Sequence, residues 1–175
     1  MDHISIRVDG TTYEWNERVG VTSRNMKVPE VVAIRVLALL EATLEAQDET
    51  LTDPLDLTMR GSLACKLRHF KRAERLARRA LVARPGFLPA IAVLSSVLRA
   101  TDRVDEALHA TAPYAHCDEP AVLTTRAAAL QDEGRSLEAV RMAKRAWAIS
   151  LRLPGGPAEE LKNLYARLRS EGALP

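Results

Sequence analysis

The sequence predicts an all-α chain: a short solenoid of helix–turn–helix units with an N-terminal β-hairpin and capping helices at both ends. Three observations carry this. The apolar share, 47% of 175 residues, is mostly Ala, Leu and Val, while aromatics are only 4%. Ala and Leu favour close-packed helices, whereas strands draw on aromatic and β-branched residues. A pattern of small and large residues returns at intervals of 34 and 32 residues, and an Asp-Gly pair divides an alternating apolar run near the N-terminus.

The alternating run is Ile4, Ile6 and Val8, followed by Asp9-Gly10. Such a pair suits a two-residue turn that needs φ > 0 at both positions. Folding about it sets Val8 opposite Thr11, Ile6 opposite Tyr13 and Ile4 opposite Trp15, with the large apolar side chains on one face. That face must be covered, either by the next helix or by a second copy, since an isolated hairpin is marginal in water. Its free strand edges make a homodimer through the N-terminal region an expectation. Residues 17–27 are expected to form a loop. Pro29 sits where a helix tolerates it, in the first turn, and the helical pattern runs to about Gln47. "DETLTDP" (48–54) reads as a linker inside an acidic zone, Glu41 to Asp56, that holds no basic residue.

From Pro54 the chain repeats itself. Leu57, Arg60, Gly61 and Ala64 precede Ala73, Ala77 and Ala80; Ile91, Leu94, Ser95 and Leu98 precede Ala107 and Thr111; Leu123, Arg126, Ala127 and Leu130 precede Gly134, Ala139, Ala143 and Ala146. This pattern resembles the tetratricopeptide repeat family over about residues 54–152, in three degenerate units. Arg60 and Arg126 stand where that family usually has Leu, and Leu151 where it usually has Pro. The division is then 1–53 for the hairpin and a capping helix, 54–152 for the repeats, and 153–175 for a C-terminal cap. Small residues at 61, 95 and 127, and at 73, 107 and 139, let paired helices approach closely. A stack of such pairs shares one core. In "PAEELKNLYARLRS", Leu161, Leu164, Tyr165 and Leu168 make one apolar stripe, expected to close the stack near Trp147.

Several function classes recede. Net charge is +2, too small for a global field. No catalytic or nucleotide-binding motif is present, so no enzyme and no cofactor are expected. His109, His116, Cys117 and Asp118 have the atom types of a zinc site but not its spacing, and no metal is expected. Two cysteines and no visible signal peptide point to a reducing, cytoplasmic location without membrane insertion. The strongest charge feature is 60–84, with nine Lys or Arg against Glu74. Lys71, Arg75 and Arg78 fall opposite the buried stripe of a helix, and no aromatics interleave to stack bases. The patch reads as a solvated outer face; an acidic partner or a nucleic acid is the lesser reading.

The resemblance implies a concave groove on the first helix of each unit, where members of the family bind peptides. Inward spacing gives Thr58, Ser62, Cys65 and Lys66 in the first unit, Ala92, Ser96, Arg99 and Ala100 in the second, and Ala121, Thr124, Ala128, Gln131 and Asp132 in the third. Some members clamp a C-terminal carboxylate with Lys and Asn; here those places hold Thr58, Ser62, Val93, Ala121 and Thr125, so that clamp is missing. The expected function is a protein–protein interaction module, an adaptor or chaperone, holding a peptide or helix of another protein. The groove could equally be filled by the chain's own N-terminal segment. The overall plan is similar to the small repeat-type chaperones of bacterial type III secretion, from which the hairpin and the basic second helix depart.

Overall fold

The computed structural model describes residues 4–16, 20–24, 26–45 and 48–174. Asp9 and Gly10 both take positive φ, 48° and 78°. β1 (Ile4–Val8) accordingly folds back on β2 (Thr11–Asn16), with Ile4 opposite Trp15, Ile6 opposite Tyr13 and Val8 opposite Thr11. The loop expected over 17–27 is overturned. β3 (Gly20–Ser23) and β4 (Met26–Lys27) extend the hairpin to an antiparallel meander, β1-β2-β3-β4. Strands of four and two residues are too short to leave an alternation in the sequence; residues 17–19 and 25 lie outside the described residues.

The sheet's apolar face is covered by helices. Trp15 and Val21 are cross-strand partners. Both are buried with Val36 and Leu40 of α1 (Glu30–Glu45) and Met59 and Leu63 of α2 (Pro54–Lys66). The helix expected to reach Gln47 is described to Glu45, and Gln47 lies outside the described residues.

The stretch read as a linker carries the junction. Asp48–Thr50 form one 3-10 turn, and Asp48 is fully buried. Arg72 Nε donates to its Oδ2 at 2.6 Å, Arg60 Nη1 to Oδ1 at 3.4 Å, and Arg75 Nη2 lies 3.9 Å from Oδ2. Arg79 donates to the carbonyls of Asp48 and Leu51 at 2.7 and 2.6 Å. These four arginines come from α2 and α3 (Phe70–Ala83). A buried charge needs partners of this kind, because desolvation otherwise costs several kcal/mol.

Six further helices follow: α3, α4 (Leu88–Ala100), α5 (Val104–Thr111), α6 (Pro120–Asp132), α7 (Ser136–Ser150) and α8 (Glu159–Ser170). Pro54, Pro89 and Pro120 lie in the first turns of α2, α4 and α6, where a missing N–H is no loss. Asp53 caps α2, accepting from the Asp56 N–H at 2.9 Å. The turns α2–α3, α4–α5 and α6–α7 share one backbone shape. Arg68, Asp102 and Gly134 have φ of 64°, 61° and 77°. The next N–H in each case, of His69, Arg103 and Arg135, donates back to Ala64, Leu98 and Leu130 at 2.9, 2.8 and 2.8 Å. This is the Schellman closure of a helix, usually built on glycine. α5 is short because Pro113 stands just past its end and cannot continue the ladder.

Within each pair the small residues meet. Ala73, Ala107 and Ala139 are fully buried, as are Ser95 and Ala127. A Cβ placed on Gly61 would lie 3.4 Å from the Ala73 carbonyl and 3.5 Å from Leu76 and Val93. That is contact without overlap, so the position has room for a methyl group but not for a branched chain. α8 closes the stack: Leu161, Leu164 and Leu168 enter the main core, and the Trp147 and Tyr165 rings lie 4.5 Å apart.

Two outcomes follow. Asp48→Ala leaves the arginines of α2 and α3 without their buried counter-charge and should cost about 3–5 kcal/mol in urea unfolding; an unshifted midpoint would show that the turn bears no load. Gly61→Ala should raise stability by about 0.5–1 kcal/mol through helix propensity, whereas Gly61→Leu should lower it by about 1–3 kcal/mol through overpacking.

Candidate functional site

The first helices of the three pairs line up and leave a cleft of about 440 Å³. Ser62 and Cys65 of α2, Ala92 and Ser96 of α4, and Ala121 and Thr124 of α6 form its floor, with Val93, Pro89 and Pro120 between them. The sequence places all six floor residues in the groove. Their side chains are small because these helices approach closely, and the same smallness makes the cleft. The Thr124 hydroxyl is spent on the Pro120 carbonyl at 2.7 Å, so it presents a methyl group to the cleft.

The remaining inward positions go elsewhere. Thr58 is buried, its hydroxyl donating to the Pro54 carbonyl at 2.7 Å, and it does not line the cleft. Ala128 is buried beneath α8, and its carbonyl accepts from Arg167. Arg99 pairs with Asp132 at 2.7 Å, and Asp132 with Arg167 at 3.0 Å; Gln131 donates to Glu171. The helical spacing of α6 is as expected at these positions, but α8 occupies the space in front of them. Lys66 stands at the rim with its Nζ 2.9 Å from Glu160 Oε1.

Sequence reasoning missed the cleft's side wall. It is built by the chain's own C-terminal segment: Ser150, Leu153, Gly156, Ala158, Glu160 and Leu161. The available signal was "LPGG", whose Gly155 and Gly156 take φ of 83° and 65° and turn the chain back toward α2. The N-terminal sheet, by contrast, packs with Met59 and Leu63, and none of its described residues lines the cleft. Lys66 and Glu160, 94 residues apart, join the first repeat helix to the last helix across the mouth.

The basic stretch resolves differently. Lys71, Arg75 and Arg78 are exposed, on the outer side of α3. Arg75 also contacts Glu49 at 3.5 Å. Arg78 and Arg103 both reach Glu74, at 2.7 and 2.8 Å. Burial pushes the Glu74 carboxyl up, but those two guanidinium groups more than offset it and hold it below the ordinary carboxylate range. Arg60 and Arg126, which depart from the family's leucines, each serve a carbonyl or carboxylate: Arg60 meets Asp48, and Arg126 donates to the Leu108 carbonyl and Thr111 Oγ1 at 2.9 and 3.1 Å. Asp118 is held by Arg145 at 2.9 Å. Among the described residues, no three His, Cys, Asp or Glu side chains gather as a metal would require, and no helix is long and apolar enough to cross a membrane.

No protein-family model matches the sequence, and no curated protein matches it. Solved structures do. The chain is similar to the Sgt2 tetratricopeptide-repeat domain from Aspergillus fumigatus, with TM-score 0.54 and 15% identity over 70% of this chain and 84% of that one. It is also similar to the APC/C hetero-tetramer Cut9-Hcn1, with TM-score 0.53 and 19% identity over 83% of this chain; it spans 27% of that chain's length. The fold is a tetratricopeptide-repeat-like helical solenoid.

The rim bridge sets a pH dependence. Burial pushes the Glu160 carboxyl up, and the Lys66 ammonium, acting through charge and a hydrogen bond, brings it below its ordinary value of 4.5. A depressed value contributes stability above pH 4.5 that is lost as pH falls through the folded value. Amide exchange over 159–165, corrected for intrinsic rate, should therefore accelerate on acidification below pH 4.5. Glu160→Gln should show the faster exchange already at neutral pH; equal exchange in both proteins would remove the bridge from the account.

Proposed function

We propose that the chain is a protein-interaction module, an adaptor or chaperone, that holds an extended apolar segment of a partner protein in the cleft between α2, α4, α6 and the 150–161 wall. The observation that carries this reading is the cleft's lining. About 440 Å³ is at the smaller end of pocket sizes, room for two or three side chains and too little for a whole helix. Its lining is mostly methyl, methylene and hydroxyl groups, with the Cys65 thiol on the floor and Glu119 and Glu160 at the edge. Such a lining offers burial to apolar side chains. The fold supports the reading by analogy, since Cut9-Hcn1 is a hetero-tetramer. A cytoplasmic setting accords with a chain that has two cysteines, Cys65 and Cys117.

The outer-face alternative is the lesser reading, because Arg72 and Arg79 turn inward to the Asp48 turn while Arg75 and Arg78 each meet a carboxylate. Lys71, Arg75 and Arg78 nevertheless remain exposed on that face.

Panning the chain against short peptides should return sequences with apolar anchors. Ser96→Arg, half-buried in the floor, should weaken a selected peptide by more than about tenfold while costing within about 0.5 kcal/mol of stability. Ala128→Arg, expected from the sequence alone to act in the same way, should instead unfold the α6–α8 packing. Binding that survives Ser96→Arg but is lost in Lys71→Glu with Arg78→Glu would move the function to the outer face.

A further inference from the structure

We propose that α1 is the interface of a homodimer in which two copies of this helix pack antiparallel across their outer faces, centred on Ala38. This is independent of the cleft.

α1 is apolar on opposite sides. Its inner side, with Val36 and Leu40, is buried against the sheet and α2. Its outer side carries Val31, Ile34, Ala38 and Ala42 at helical spacing, flanked by Leu39. Val31 is 73% exposed, Ile34 54% and Leu39 45%; Ala38 and Ala42 are exposed too. A helix with a second apolar stripe on its solvent side leaves that stripe to be covered. Elsewhere among the described residues, exposed large apolar side chains stand singly, as with Val82 on α3 and Leu137 on α7, apart from the neighbours Leu151 and Leu153 after α7. Scattered apolar groups are ordinary on a protein surface, whereas a contiguous stripe marks an interaction site.

The occupant is argued from the stripe's own shape and charge. Its bulk lies in the first half, at Val31 and Ile34, and its small residues in the second, at Ala38 and Ala42. A copy laid antiparallel about Ala38 sets each Ile34 against the partner's Ala42, large on small, and lets the backbones approach at the centre. A parallel copy would set Ile34 on Ile34 and leave the alanines facing each other across a gap. Charge runs the same way. The last turn of α1 ends in Glu45 and holds no basic residue, which is unfavourable at the negative end of a helix dipole. Antiparallel pairing brings Arg35, exposed on the first half of the same side, toward that end of the other copy. Sixteen residues rise about 24 Å, so the contact is below the roughly 800 Å² per partner of a standard interface and the association is a weak, reversible one.

The test is sedimentation equilibrium of the full chain, followed by cross-linking. The wild type should sediment with a mass approaching twice the protomer at concentrations well above about 10 μM. Ile34→Glu should be monomeric there with unchanged helicity. In a Cys65→Ser, Cys117→Ser background, Ala38→Cys should form a disulfide-linked dimer on mild oxidation, and Val31→Cys should not, since an antiparallel pair holds those positions apart. A wild type that stays monomeric, or a dimer indifferent to Ile34→Glu, overturns the proposal. So does linkage at Val31→Cys, with or without linkage at Ala38→Cys, which would mean a parallel pair.

Discussion

A single buried carboxylate holds the two parts of this molecule together. Asp48 lies in a three-residue turn between α1 and α2, and side chains from α2 and α3 converge on it. With the turn pinned, α1 must come back across α2, and the sheet follows because Trp15 and Val21 need the surface made by Val36, Leu40, Met59 and Leu63. The same contacts engage part of the charge on α3. Arg72 and Arg79 are oriented inward, Arg75 reaches Glu49, and Arg78 pairs with Glu74 along the helix. Ion pairs of this type add little net stability over apolar packing, but they are intolerant of losing one member. Their contribution is to specify one arrangement of the junction.

How much of this could be read from the sequence depends on the range of the interaction. The hairpin register was legible because Asp9-Gly10 fixes it locally. The helix pairs were legible because small residues recur at the same step as the contacts they make. β3 and β4 were not, being too short to carry a period. Asp48 was visible only as one member of an acidic zone; nothing local says that it is the one that becomes buried. Arg60 and Arg126 were visible as departures from the repeat pattern, and each departure proves to be a long side chain reaching an acceptor on another element. Six positions of the cleft floor were legible through helical spacing. Ala128 and Gln131 share that spacing and are nonetheless covered, because what covers them is a helix some thirty residues later in the chain.

The three turns within the pairs repeat one backbone device with different side chains. Arg68, Asp102 and Gly134 occupy one left-handed position and close one hydrogen bond, with a basic, an acidic and an unsubstituted residue respectively. The backbone hydrogen bond recurs in all three turns while the side chain at the left-handed position differs. A left-handed arginine carries a strain of about 1–2 kcal/mol, which the surrounding helix pair holds in place.

α8 has a consequence for how the molecule behaves in a crowd. A stack of helix pairs exposes, at its last pair, a surface shaped to accept another pair, and molecules with such an open end can add to one another without limit. Here Leu161, Leu164 and Leu168 fill that surface, while Glu159, Lys162, Asn163 and Arg169 turn a hydrated face outward. The end has been made unlike the interior of the stack. Growth by head-to-tail addition of whole molecules has nothing to template on at this end, so a chain built from a repeating unit is kept from becoming a repeating assembly.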